Sequence, residues 1–362
     1  MRRSSLTLTL ALGLVAAAVA ATGAAAAQTQ PAASAPVVDA DGWLRPKTAG
    51  DALIWGRRDG VIFGLPSTGG LPGPRGLIRV GILGKDGKPE LINFIAIEPI
   101  AKGAGTRQSR IAFSELEMSV LDARQRGKRL STTQWAGELT TLPAKPAPVQ
   151  RLSVRIDVEP FTANGTHVFV IASMSSDRPR ELALSVRHEE DSAPIEELTL
   201  TATMGNYERL RHLWLRDRIV DSRDLYSGYT GDGFIDLDNY PRDEMLTWGD
   251  GDALVLATAN EDDPSSVAVA AKAHWTYKSI KLTQYWRVPA WHIQPDLRVK
   301  VNGRRVYWAS TDPIPGGLAF ENFEVRQRYV PDQVFIFGLT PTPPRELTPA
   351  VPRLAPRTAE RK

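Results

Sequence analysis

The densest run of chemically able side chains is residues 274–292, HWTYKSIKLTQYWRVPAWH. Trp275, Tyr277, Tyr285, Trp286 and Trp291 stand there among His274, Gln284, Arg287 and His292. Aromatic rings stack on the flat C–H faces of sugars, while Arg, Gln and His satisfy the hydroxyls, so this mixture suits a glycan cleft. The competing reading is an aromatic core. Alternation along 282–288 puts Leu282, Gln284, Trp286 and Val288 on one face and Thr283, Tyr285 and Arg287 on the other. The Trp286 face reads as core. Tyr285 is then a candidate catalytic group with His274. Arg287, Gln284, Trp275 and Trp291 are candidate contacts to substrate.

A second stretch, residues 314–328 (IPGGLAFENFEVRQR), places Phe320, Asn322, Glu324, Arg326 and Arg328 on one strand face. That face is either solvated surface or a polar groove in which Glu324 acts and Asn322 and Arg326 bind. Glu98, Glu115 and Glu117 add carboxylates, with Glu98 at the end of a β-branched run. Two carboxylates about 5 Å or about 6.5–9.5 Å apart would serve glycoside hydrolysis. Elimination from a uronic acid instead needs a base and a group that neutralises the substrate carboxylate. Tyr285, His274 or His212 with Arg287 and Gln284 would supply both.

A third stretch, residues 228–244, carries Asp232, Asp236, Asp238, Asp243 and Glu244. A hard cation such as calcium is one reading, and a solvated acidic loop is the other. The ligand spacing of an EF-hand loop is missing, which favours the acidic loop. The histidines are too scattered to spell a metal motif. No nucleophile elbow, phosphate loop, dinucleotide fingerprint or zincin motif is present. The chain has no cysteine, so thiolate chemistry, disulfides and a lipid-attached cysteine are excluded. Its net charge of +3 comes from interspersed residues and offers no electrostatic footprint for nucleic acid.

The elements that must position these groups are strands. Runs at 76–83, 89–98, 151–158, 166–173, 180–187 and 195–203 alternate or are rich in β-branched residues. Others follow at 252–258, 266–273, 282–288, 297–301, 305–309, 318–328 and 333–339. Asn302-Gly303 reads as a two-residue hairpin turn. Residues 206–218 admit either a strand continuing from the preceding run or a short helical turn capped by Asn206 with a strand after it, the second being preferred. Short strands at this spacing predict an all-β fold, a large antiparallel β-sandwich of the supersandwich kind with few short helices.

Arg2 and Arg3, the apolar residues 6–21, and Ala25 and Ala27 have the pattern of a cleavable signal peptide over residues 1–27. The expected address is periplasmic or extracellular, with no stable membrane anchor after cleavage. Residues 28–41 read as a flexible lead-in, 42–340 as the β domain and 341–362 as a Pro-rich disordered tail. The Pro-rich stretch at 140–150 is a candidate subdomain break.

The stretches WGRRDGVIFGLPSTGGLPGPRGLIRV, NFIAIEPI, FSELE, QYWR and IPGGLAFENFEVRQRY…FIFG resemble a group of uncharacterised secreted proteins from environmental bacteria. The similarity covers most of residues 53–340. It implies a large β-sandwich of the galactose-mutarotase or polysaccharide-lyase kind, and carries over no catalytic residue. The combined expectation is a carbohydrate-active protein acting on a polysaccharide, with lyase placed ahead of hydrolase and no cofactor, calcium being the one candidate ion. The alternative is a non-catalytic glycan-binding or envelope structural and interaction protein. Convergence of Tyr285, Arg287, Glu324, His274 and Glu98 on one groove would favour the enzyme.

Overall fold

A computed structural model describes residues 37–65, 76–103, 130–203, 209–235, 238–259, 280–306 and 313–352. His274, Trp275, Tyr277, Glu115, Glu117, Tyr207, Asp236, the strand expected at 266–273 and the signal-like residues 1–27 lie outside them.

The strands begin with β1 (Trp43–Leu44), β2 (Ile54–Arg57), β3 (Ile62–Gly64), β4 (Ile78–Leu83) and β5 (Pro89–Ala101). Next come β6 (Leu130–Ser131), β7 (Glu138–Leu142), β8 (Val149–Val158), β9 (Val168–Ser175), β10 (Arg178–His188) and β11 (Ile195–Thr203). They continue through β12 (Leu210–Trp214), β13 (Ile219–Asp221), α1 (Ser222–Leu225), β14 (Asp238–Pro241), β15 (Leu246–Trp248) and β16 (Asp252–Ala259). The last are β17 (Thr283–Val288), β18 (Arg298–Arg304), β19 (Ala319–Arg328), β20 (Val334–Thr340) and α2 (Pro344–Leu347).

These strands build two antiparallel sheets. The first runs β1-β2-β3-β4-β5-β11-β19-β18-β14. The second runs β13-β12-β16-β17-β20-β10-β9-β8-β6, with β15 on β16 and β7 on β8. The fold is a large antiparallel β-sandwich with few short helices. Alternation explains which faces meet. On β8, Leu152, Val154, Ile156 and Val158 are buried, while Arg151, Ser153, Arg155 and Asp157 lie at or near the surface. Leu182, Leu184 and Val186 of β10 are likewise buried. The inner faces of both sheets share one core, in which Val325 and Phe323 of β19 lie with Trp286 of β17 and Phe337 of β20. The Trp286 indole donates to the Phe323 carbonyl across the sandwich at 2.8 Å, and its ring packs edge-on against Phe337. A Trp can sit this deep because its one donor finds an acceptor.

One local expectation is corrected. Asn302-Gly303 does not turn a hairpin. β18 runs through it and its pairing with β19 slips between Val301 and Gly303, so the pair marks a bulge. The start of the expected tail is packed: α2 brings Leu347, with Val351 beyond it, against a small cluster on the second sheet. At the other end Val38 bridges Leu44, and the Asp39 carboxylate accepts from the Trp43 amide, so the expected lead-in ends in ordered chain. The Pro-rich residues 143–148 connect β7 to β8, which pair from Leu142↔Val149 onward within one sheet. No helix among the described residues is long and apolar enough to cross a membrane.

Candidate functional site

Tyr285 and Arg287 point away from the shared core, as alternation requires, onto the outer face of the second sheet. Both are nonetheless buried, Tyr285 at 2% and Arg287 at 6% exposure. The cover over Tyr285 comes from distant chain. Trp248 from β15 packs edge-on to its ring at 6.0 Å, and Leu347 and Val351 join the same cluster with Trp214, Leu246, Leu254 and Leu256. β15 is joined to β16 by Gly249-Asp250-Gly251, with Trp248 paired to Asp252. Gly249 and Gly251 have φ of 53° and 112°, a backbone that favours glycine and lets the hairpin close so tightly.

Beneath Trp248 lies a charge network. Arg287 donates from Nε at 3.2 Å and from Nη2 to the Glu181 carboxylate of β10, and from Nη1 to Asp252. The Tyr285 hydroxyl donates to Glu181 Oε1 at 3.2 Å. The guanidinium of Arg287 also lies 4.9 Å from the centre of the Trp248 ring. Asp252 Oδ1 accepts from the Ala290 amide at 2.9 Å. Asp252 therefore anchors the 3-10 turn Ala290–His292 that presents Trp291. Trp291 is 77% exposed.

Together these elements border an open cleft of about 670 Å³ on the outer face of the second sheet. Glu181, Arg287, Ser173 and Ala183 form part of its lining from the sheet, and Trp248, Trp291, His292 and Leu142 reach it from the hairpins and turns. Burial, and then the neighbouring Glu181 carboxylate, push the Tyr285 phenol well above its ordinary value of 10. Partial burial holds the His292 imidazole below its ordinary 6.5, so it is predominantly neutral at pH 7. Arg287 is already matched by two carboxylates. It has no charge left to neutralise a uronate.

The other sequence candidates lie elsewhere. Gln284 shares the Trp286 face and is buried in the core, its Oε1 without a hydrogen-bond partner. Glu98, Asn322, Glu324 and Arg326 are on the outer face of the first sheet, the opposite side of the sandwich from Tyr285 and Arg287. There Glu324 lies opposite Thr201, and the Thr201 hydroxyl donates to Glu98 Oε2 at 3.0 Å. Arg326 and Arg298 both hold Glu197, the latter at 3.0 and 3.1 Å. Glu98 and Glu324 are both buried in this polar grid. The structure thus brings Tyr285, Arg287 and Trp291 to one region and separates them from Glu98, Glu324, Asn322 and Arg326.

In the acidic stretch at 228–244, Glu244 pairs with Arg218. No group of three or more His, Asp or Glu side chains is gathered as a metal site among the described residues. Sequence reasoning missed Trp248, Arg178, Glu181 and Asp252. The Trp-Gly-Asp-Gly-Asp run at 248–252 is the signal that could have found two of them, an aromatic beside a glycine-framed tight turn.

A scan against protein-family models and a search of curated proteins return no match.

Proposed function

We propose that this protein binds carbohydrate in the cleft of the second sheet, as a recognition module and not as a polysaccharide-cleaving enzyme. Trp291 is the observation that carries the reading. A solvent-facing indole on the rim of a ligand-sized cleft, above a floor of fixed Arg, Glu and Asp side chains, suits stacking on a sugar ring with its hydroxyls turned to polar partners. An exported protein, as the first 27 residues lead one to expect, would meet polysaccharide outside the cytoplasm.

Binding is favoured over bond cleavage by the state of the candidate groups among the described residues. A general base works best with a pKa near the working pH and within reach of the proton it takes. The Tyr285 phenol is buried and bonded to Glu181, with its pKa raised. Glu98 and Glu324 lie on the far side of the sandwich from it.

The test is affinity electrophoresis and calorimetry against a panel of neutral and acidic polysaccharides, run with wild type and Trp291→Ala. Wild type is expected to be retarded by at least one neutral polymer without releasing reducing ends or unsaturated uronates. Trp291→Ala should weaken that binding about tenfold or more, with unfolding unchanged because the side chain is exposed. No retention on any polymer, retention indifferent to Trp291→Ala, or chain cleavage would each overturn the proposal.

A further inference from the structure

The cleft does not end at Trp248. Beyond it lies a second open compartment of about 490 Å³, lined by Pro179, Arg180, Tyr285, Thr340, Thr342 and Leu347. Asp177, Arg178, Glu181 and Trp248 border both compartments. They form a ridge that two cavities share. Trp248 is held as a rigid plate there, edge-on to Tyr285 and beside the Arg287 guanidinium. The Arg178 guanidinium lies 5.8 Å from the centre of the same ring and pairs with Glu181 at 3.8 Å, and with the side chain 54% exposed, the donors turned away from Glu181 face a ligand crossing the ridge.

Charge narrows the ligand further. The guanidinium groups around the two compartments belong to Arg151, Arg178, Arg180 and Arg287. The carboxylates belong to Asp177, Glu181, Asp250 and Asp252. The groups match in number, and His292, held below its ordinary value by partial burial, is predominantly neutral at pH 7. A polyuronate or sulfated chain would need surplus cations along its path, and the described residues that line this groove supply none.

Resting on the carbohydrate reading above, we infer that the groove takes an internal stretch of an uncharged, linear polysaccharide, laid across the Arg178–Trp248 ridge with sugar units in both compartments. A chain end is not what it recognises. A ligand that fills one compartment and touches the ridge continues into the other, because the same side chains wall both. Recognition is then by length: short oligosaccharides occupy one compartment, and longer ones gain contacts in the second.

The experiment is calorimetry on the full chain with β-1,4-linked glucose, mannose and xylose oligomers from disaccharide to hexasaccharide, each also with its reducing end converted to the alditol, and with uronate oligomers of the same lengths. For the sugar that binds, affinity should climb about tenfold or more along the series and then level off, with alditol and reducing forms equal for the hexamer. Arg178→Ala and Trp248→Ala should each cost the hexasaccharide several-fold more than the disaccharide, flattening that climb. Arg178→Ala carries the test should Trp248→Ala fail to fold. Affinity that is flat with length, or lost on reduction of the chain end, overturns this inference and leaves the single-cleft reading standing. Binding of acidic oligomers alone overturns the choice of an uncharged chain. Binding of no oligomer of either kind overturns both readings.

Discussion

Tyr285 reaches Glu181 across β20 because the residue between them is Gly338. The register makes Tyr285 and Gly338 partners, and Gly338 and Glu181 partners on the next strand. A Cβ on Gly338 would fall 1.9 Å from Tyr285 Cζ, inside the ring. The phenol therefore lies over bare backbone, and the Glu181–Arg287–Asp252 network is built around it. Gly338→Ala must expel the ring or displace β20. A loss of about 1–3 kcal/mol is expected, the usual range for overpacking a filled site. Urea unfolding measures it. In a Tyr285→Ala background the added methyl has room, so the same substitution should have a much smaller effect, and the two changes should be strongly non-additive. Additive losses would show that Gly338 is needed for some other reason.

At the scale of elements, the outer rows of the first sheet are tied by charge as well as by backbone. Glu197 of β11 sits between Arg326 of β19 and Arg298 of β18. Burial alone would raise its carboxyl, but the hydrogen bonds and charges of the two arginines outweigh that and hold it below its ordinary 4.5. A carboxyl depressed in the folded state stabilises above its unfolded pKa, and that contribution is lost as pH falls through the folded value. Wild type should therefore lose urea resistance on acidification from about pH 5 downward. Glu197→Gln should be weaker at neutral pH and lose less over the same fall. Parallel pH profiles for the two proteins would refute this role.

The same scale shows what was legible in sequence. β8, β10, β11 and β17 announce themselves, because one buried face forces a period of two. The alternation of β17 also told which side Tyr285 and Arg287 take. It did not tell that this side is covered. Trp248 from β15, and Leu347 and Val351 beyond β20, supply the cover, and no periodicity in β17 encodes residues that arrive from other hairpins. Asn302-Gly303 misled for a related reason. Turn chemistry permits a hairpin, but pairing with β19 continues on both sides of it, and the sheet absorbs the dipeptide as a bulge.

For the whole molecule, the decisive fact is which faces of the sandwich look at each other. Trp286 of β17 and Phe323 of β19 point inward and meet, through the indole donor and a shared core. Their neighbours Arg287 and Glu324 must then point outward, in opposite directions. Stacked sheets lie about 10 Å apart, so the two polar faces are separated by both sheets and the packed layer between them. A groove common to 282–288 and 318–328 is geometrically closed to this fold, however well their residue types match. A clear expectation for mutants results. Glu324→Gln and Glu98→Gln alter the first sheet's outer grid, and substitutions this far from the cleft, with no shared partners, behave independently of it. Each variant should bind carbohydrate within about twofold of wild type, while Trp291→Ala in either background should lose as much as it does alone. Calorimetry on wild type, the three single variants and the two double variants, after circular dichroism confirms the fold of each, makes the comparison. A large loss from Glu324→Gln in a folded protein would mean that the two faces are coupled through the core or that the ligand is bound on the first sheet. The cleft at Trp291 would then be the wrong place to look for recognition.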